Sequence, residues 1–275
     1  MTADIFVPAV LFLCMIILHI LRQKEIALPA EISTVKYEIG AASTLGTRTI
    51  QQDYFGVKEN QGVMLMLLAD GTGADGEVAA KLAIDTFRDL FEDSNATFKP
   101  QYFFRRAANA ANKKIVNTLE ERQGETSLAA VLLNGAQFFY SVVGNCRVAV
   151  FRNGDLIPVS EGQTVDVLAR HSYNEGKISK QETLNLLNKH RRYNVLGQDS
   201  FEEIEIYSKP PELLPNDLIV IMSEGIFNTL RWVEIENILD KKSSAQISAD
   251  EIIEAVKNSP MVDKDNATVL ICRQV

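Results

Sequence analysis

The feature that most constrains the fold is an uninterrupted apolar run, VMLMLLA at residues 63–69, which ends at the sequence DGTG. A continuous apolar run of this length is typical of a β-strand that is buried on both of its faces. Such a strand needs a packed layer on each side, so the sequence predicts a layered fold. Asp70 follows the run directly, which places an acidic residue at the end of a buried strand.

Three further acids flank strand-like runs in the same way: Asp53 before residues 54–57, Glu224 just after residues 218–222, and Asp265 shortly before residues 268–272. Each of them could be an ordinary turn residue, because Asp and Asn favour turns and Asp-Gly is a common dipeptide in hairpin turns. If the four carboxylates converge, they form a hard-oxygen site suited to Mg²⁺ or Mn²⁺. Sequence periodicity alone does not show whether they converge.

Helical and strand-like segments alternate along the body of the chain, which predicts a mixed α and β structure. Apolar residues recur at helical spacing over residues 78–91 and 101–121, and each of these helices should cover a sheet face. Residues 128–133, 138–143 and 148–151 are strand-like and are joined by short turns containing Asn-Gly and Gly-Asn. These turns favour an antiparallel meander of three strands.

Composition narrows the function classes. The chain has 275 residues, 46% of them hydrophobic and 23% charged, which is ordinary globular usage. Its net charge of -8 argues against a nucleic-acid partner, because there is no broad basic surface to meet phosphates. The cysteines Cys14, Cys146 and Cys272 form no CxxC pair and fit a reducing compartment.

The first residues differ from everything after them. Residues 5–21, IFVPAVLFLCMIILHIL, carry no formal charge and reach the lower limit for a helix that spans a bilayer. Asp4 precedes the run, and Arg22 and Lys24 follow it, so we expect one transmembrane helix with the body facing the cytoplasm. The alternative is a buried amphipathic helix, but the apolar residues lie all the way round the helix, which argues against an amphipathic pattern. Residues 22–36 would then be a polar linker.

Seven motifs, in order, resemble those of the PP2C (PPM) family of metal-dependent serine/threonine phosphatases, and the similarity covers residues 39–273. Any one of these motifs is weak, but all seven in family order are specific. They are GTRTIQQD at 46–53, DGTG at 70–73, GETSLA at 124–129, GNCRV with RNGDL at 144–156, GKIS through HRRYNVLG at 176–197, SEGIF at 223–227, and DNAT at 265–268.

The resemblance implies an α+β fold, an α-β-β-α sandwich of two antiparallel sheets flanked by helices, over residues 37–275. It also implies two Mg²⁺ or Mn²⁺ ions, a water activated by the metals as nucleophile, and a phosphoprotein as substrate or partner. The implied metal ligands are Gln52, Asp70, the carbonyl of Gly71, Glu224 and Asp265. The implied catalytic residues are Asp53, which would orient the water, and Arg48, which would grip the phosphate.

Cysteine and histidine chemistry adds nothing to this prediction. The sequence contains no cysteine nucleophile motif, and His19, His171 and His190 form no cluster with ligand spacing. Thr72 stands where some relatives carry a histidine, so no protein group is assigned as general acid. Residues 163–190 would form a flap over the site.

Departures from the family pattern leave two functions open. Glu224 replaces an aspartate, and its extra methylene moves the carboxylate by up to about 1.5 Å. Gln52 is neutral, Asn145 replaces an aspartate that helps hold a third metal in relatives, and SEGQT at 160–164 departs from the family's T-x-D-H-S. The chain is therefore either a working phosphatase or a membrane-anchored pseudophosphatase that binds a phosphoprotein without turnover. A sandwich that has lost its site altogether is a third reading.

Overall fold

The computed structural model describes residues 36–92, 99–187, 191–207 and 212–274. The predicted transmembrane helix at 5–21 and almost all of the predicted linker at 22–36 lie outside these ranges. Among the helices that the structure describes, none is long and apolar enough to cross a membrane.

Within the described ranges, ten strands form two antiparallel sheets of five strands each. The first sheet has the order β1-β10-β9-β6-β7, and the second has the order β2-β3-β4-β5-β8. The strands are β1 Tyr37–Thr44, β2 Asp53–Asn60, β3 Val63–Thr72, β4 Glu125–Asn134, β5 Gln137–Val143, β6 Arg147–Arg152, β7 Asp155–Pro158, β8 Glu205–Ile206, β9 Leu218–Met222 and β10 Ala267–Gln274.

Seven helices are described around the sheets. They are α1 Gly76–Glu92, α2 Pro100–Leu119, α3 Val165–Asn174, α4 Lys180–Leu186, α5 Glu224–Thr229, α6 Trp232–Leu239 and α7 Ala245–Asn258. Helix α1 contains the predicted helical segment 78–91, and α2 covers the predicted segment 101–121 except for its last two residues. Helices α3 and α4 lie in the segment predicted to be a flap.

The alternation of side chains along β3 explains the apolar run at residues 63–69. Leu65, Leu67 and Ala69 pack with α1 and α2 in one core. Met64, Met66 and Leu68 face the other way and pack between the two sheets. Both faces of the strand are therefore buried, as its continuous apolar sequence predicts.

A separate core lies on the outer face of the first sheet. There, side chains of β9 and β10 pack against α5, α6 and α7. The order of layers is therefore helices, sheet, sheet, helices, which confirms the predicted α-β-β-α sandwich. Each sheet is covered by helices on one side and by the other sheet on the other side.

The predicted three-strand meander is wrong in its third strand. Strands β4 and β5 pair as expected, but β6 pairs with β7 and β9 in the other sheet. The turn at Gly144 and Asn145 therefore carries the chain from one sheet to the other. The local sequence of a strand indicates that it is buried and not which sheet it joins, because both sheets present the same apolar inner faces.

Candidate active site

Two predicted acids, Asp53 and Asp70, lie opposite each other at one end of the sandwich. Strand β2 begins at Asp53, which pairs in register with Asp70 on β3. The sequence placed Asp70 beyond the strand, whereas β3 continues through it to Thr72. Both side chains are buried. Two carboxylates on neighbouring strands are thus withdrawn from water together.

Burial governs the electrostatics of this pair. It raises the pKa of Asp53 to about 6, against hydrogen bonds from Ser223 and Thr268 that lower it. The pKa of Asp70 lies well above its ordinary value, first because of burial and then because of the charge on Asp53. Raised pKa values in carboxyl pairs indicate buried negative charge that lacks a sufficient counterion.

The junction between β9 and α5 contacts both acids. The hydroxyl of Ser223 donates to Oδ2 of Asp53 at 2.8 Å, and the backbone N–H of Glu224 donates to Oδ2 of Asp70 at 3.0 Å. The Ser223 oxygen in turn accepts the backbone N–H of Thr268 at 2.9 Å. This hydroxyl links β10 to Asp53, so Ser223 belongs to the site, although the sequence predicted it only as part of the SEGIF motif.

Glu224 itself is turned toward its own helix. Its Oε1 accepts a hydrogen bond from Nδ2 of Asn228 at 3.0 Å, one helical turn further on. Its charge still reaches Asp70, whose pKa it raises. The longer side chain is therefore near the site, but its carboxylate has a partner on α5 that the sequence did not indicate.

Gln52 and Gly71 form a close backbone contact beneath Asp70. The N–H of Gly71 donates to the carbonyl of Gln52 at 3.1 Å, and Nε2 of Gln52 donates to the carbonyl of Gly73 at 2.6 Å. A Cβ on Gly71 would lie 2.2 Å from the carbonyl oxygen of Gly76, where α1 begins. Only glycine fits at this position without moving the backbone.

Arg48 and Asp265 pair with each other near the same end. Nε of Arg48 lies 3.0 Å from Oδ1 of Asp265, and Nη1 lies 3.1 Å from Oδ1 of Asp263. Both Arg48 and Asp265 are about half exposed. The charge of Asp265 nevertheless raises the pKa of Asp53, so it belongs to the same acidic region. The predicted phosphate-gripping arginine is thus held by two carboxylates.

Arg192 is a cation of this region that was not among the predicted site residues. It lies in the compressed HRRYNVLG motif, and its Nη2 donates to Oγ1 of Thr72 at 2.7 Å. Its Nη1 is 4.0 Å from Oδ1 of Asp70 and donates to Oγ of Ser127 at 3.3 Å. No periodic signal marks this residue, because the contact joins segments 120 residues apart.

The donor types at this end suit a hard divalent cation. Asp53 and Asp70 are buried carboxylates with raised pKa values, and oxygen ligands of this kind are those that Mg²⁺ and Mn²⁺ prefer. In the part of the chain that the structure describes, no three acidic, histidine or cysteine side chains are placed to hold one metal ion together. The donor types therefore fit a divalent metal, whereas the carboxylates of Glu224 and Asp265 are engaged by Asn228 and Arg48.

Comparison with known proteins gives the same family as the motifs. The family model described as protein phosphatase 2C matches residues 42–255. The serine/threonine phosphatase stp of Listeria welshimeri is 26% identical over 230 residues, which cover 80% of this chain and 88% of the relative.

Solved structures share the fold. A serine/threonine phosphatase of S. agalactiae superposes with a TM-score of 0.75 at 21% identity, covering 86% of this chain and 99% of that one. The catalytic domain of the phosphatase PstP, in complex with two manganese ions, superposes with a TM-score of 0.66 at 23% identity, covering 88% and 100%. By its family model, which spans well over half of its length, this chain belongs to the protein phosphatase 2C family.

Proposed function

We propose that this protein removes phosphate from phosphoserine and phosphothreonine residues of other proteins in a reaction that depends on Mg²⁺ or Mn²⁺. The observation that carries the proposal is the buried pair Asp53 and Asp70, held by Ser223 and the backbone of Glu224 at one end of a PP2C sandwich. The Listeria relative is named as a serine/threonine phosphatase, and the PstP structure contains two manganese ions.

The residues that would hold the two ions are Asp70, the carbonyl of Gly71, Gln52, Glu224 and Asp265. When bound, the ions would supply a nucleophilic water at neutral pH and neutralise charge on the phosphoryl oxygens. Asp70 would be a ligand whose charge the ions neutralise, because its carboxylate is buried beside the acids Asp53 and Glu224. Asn145 is neutral, so we do not extend the proposal to a third ion.

Asp53 and Arg48 would act on the water and the phosphate, respectively. The carboxylate of Asp53 is oriented by the Ser223 hydroxyl and would accept a proton or a hydrogen bond from the attacking water. Arg48 has a planar donor fork suited to a phosphate. Because Asp263 and Asp265 already contact this fork, a substrate phosphate must compete with them for Arg48.

A second candidate function is binding without turnover. The hydrogen bond between Glu224 and Asn228 favours this function, because it turns the carboxylate of Glu224, a proposed metal ligand, along α5. In that case the chain would be a pseudophosphatase that recognises a phosphoprotein and regulates it by binding. We rank this second, since Asp53, Asp70, Asp265 and Arg48 are all retained.

Mn²⁺-dependent hydrolysis of a phosphothreonine peptide separates the two functions. We expect measurable turnover, loss of turnover in Asp70→Asn, and faster turnover in Glu224→Asp, because the shorter carboxylate cannot reach Asn228 as easily. Glu254→Asp is the matched control, since Glu254 makes the same bond to Asn258 one turn away on α7. A folded protein with no turnover in either the parent or Glu224→Asp would refute the enzyme proposal in favour of binding.

We propose further that residues 5–21 anchor the protein in the cell membrane and that residues 37–275 form the phosphatase domain on the cytoplasmic side. The support is the uncharged run and the basic residues that follow it. The protein should remain with membranes after alkaline washing, and deletion of residues 5–21 should release it. Protease added outside intact cells should leave the domain uncut, whereas digestion would contradict the cytoplasmic orientation.

A further inference from the structure

The guanidinium of Arg192 lies at the ends of two neighbouring strands, beside the buried acid Asp70. It contacts the hydroxyls of Thr72 on β3 and Ser127 on β4, and its Nη1 is 4.0 Å from Oδ1 of Asp70. The Arg192 side chain is only 20% exposed and that of Asp70 only 13% exposed. The charge of the arginine is therefore directed at Asp70 in a region with little water.

The backbone holds Arg192 in this position from both sides. Arg192 forms an isolated antiparallel bridge with Thr164, flanked by hydrogen bonds between residues 163–165 and residues 191–193. Four residues after Arg192, Leu196 exchanges two backbone hydrogen bonds, of 2.9 and 3.0 Å, with Thr126 on β4. These bonds fix the chain on each side of the arginine, so the guanidinium is positioned rather than free to sweep through solvent.

The two hydroxyls to which Arg192 donates, those of Thr72 and Ser127, belong to neutral side chains. Ser127 accepts from Arg192 and donates to Oδ1 of Asn145 at 2.9 Å. Asp53 and Glu224 are the other charged groups that act on Asp70, and both are acids. Among the described residues that act on Asp70, Arg192 is therefore the cation, and it reaches Asp70 from the side of the neutral residues Thr72 and Ser127.

We propose that Arg192 is a resident cation of the site, which occupies the Thr72 and Ser127 side of Asp70 and weakens the binding of divalent metal there. This inference rests on the proposed metal-dependent function. A positive charge fixed near Asp70 repels an incoming divalent ion and competes for the same carboxylate oxygen. The protein would then need a higher metal concentration than its acidic residues alone suggest, and Arg192 would set that concentration.

The test is Mn²⁺ binding to the full chain, measured by titration calorimetry after treatment with a chelator. Arg192→Gln should bind Mn²⁺ about tenfold more tightly than the parent, because charges within about 8 Å interact at this strength even in a partly solvated site. Arg191→Gln is the matched control: it removes the same charge from an exposed neighbouring residue and should leave the affinity unchanged. Arg192→Lys keeps the charge and should bind Mn²⁺ like the parent.

Thr72→Val provides a second variant in case Arg192→Gln fails to fold. It removes the 2.7 Å bond that holds Nη2 and keeps the shape of the side chain, so the released guanidinium should allow tighter Mn²⁺ binding. Combining Asp70→Asn with Arg192→Gln or with Thr72→Val should abolish the increase in Mn²⁺ affinity.

Two negative results are distinguishable. Equal Mn²⁺ affinity in the parent, Arg192→Gln and Thr72→Val would overturn the role of Arg192 and leave the metal-dependent function standing. Tightening by Arg191→Gln to the same extent would also overturn it, since the effect would then come from net charge. If neither the parent nor any variant shows Mn²⁺ binding that Asp70→Asn removes, both this inference and the proposed function are overturned.

Discussion

Gly71→Ala tests whether the close contact between β3 and α1 supports both the fold and the site. A Cβ at this position would lie 2.2 Å from the carbonyl oxygen of Gly76 and 2.7 Å from that of Gln52. A carbon and an oxygen that are not bonded normally approach to about 3.3 Å, so the two backbones must separate by about 1 Å. Neither obstacle is a side chain that could rotate away.

The magnitude follows from this geometry. Overpacking of a well-packed interior costs about 1–3 kcal/mol, and contact with backbone on two sides places this variant at or above the upper end, at about 3–4 kcal/mol of unfolding free energy. The carbonyl of Gly71 would move with the strand. A displacement of about 1 Å at a catalytic site commonly costs about a hundredfold in rate, so phosphatase turnover should fall by a similar factor.

Urea unfolding with chelator present measures the stability, and Mn²⁺-dependent peptide hydrolysis measures the function. Gly154→Ala is the control, because a Cβ there meets no atom within 4 Å although its φ is +94°. That variant should lose only about 1 kcal/mol, from the left-handed backbone alone, and should keep full turnover. Gly71→Ala that unfolds within about 0.5 kcal/mol of the parent and retains turnover would refute the reasoning.

Two further predictions concern charges away from the metal site. Asp217→Ala should lower the unfolding free energy by about 2–4 kcal/mol, because it removes the buried partner of Arg152. The two carboxylate oxygens of Asp217 accept hydrogen bonds of 3.0 and 2.6 Å from this arginine. Urea unfolding at pH 7 measures the loss, and a loss below about 0.5 kcal/mol would contradict the prediction. Burial raises the pKa of Glu205 above its usual 4.5, so the folded state favours its neutral form, and that stabilising contribution is lost as pH rises above about 4.5. The two carboxylate oxygens of Glu205 accept the backbone N–H groups of Glu161 and Gly162 at 3.0 and 2.8 Å, and Gln has one oxygen to accept them, so Glu205→Gln begins at a lower stability. Its stability relative to the parent should nevertheless rise as pH increases from about 4.5 to 7, whereas that of the exposed control Glu202→Gln should not; parallel stability curves for Glu205→Gln and the parent would contradict it.

Local sequence predicted most elements of the sandwich because their patterns are physically direct. The apolar run before Asp70 could only be satisfied by burial on both faces, and β3 is buried in this way between two cores. The helical spacing of residues 78–91 predicted α1, which extends from Gly76 to Glu92. The sheet to which β6 belongs was not predictable, since both sheets offer apolar strands with which β6 could pair.

The candidate site was predictable only in part. Asp53 and Asp70 were chosen from their positions beside strands, and the register of β2 with β3 brings them together. Asp265 was chosen on the same grounds, but it is paired with Arg48 at the surface. The partner of Glu224 on its own helix depends on a side-chain rotamer, and motif spacing carries no information about rotamers.

The sequence by itself determined the alternation of strands and helices, the buried character of β3, and the choice of acids that could meet a divalent ion. These properties depend on side-chain period and residue type, which are local. Only the tertiary structure decided that Ser223 orients Asp53 and that Arg192 stands beside Asp70. Such contacts join segments 120 or more residues apart, and their energies depend on burial and distance, which exist only once the sheets have packed.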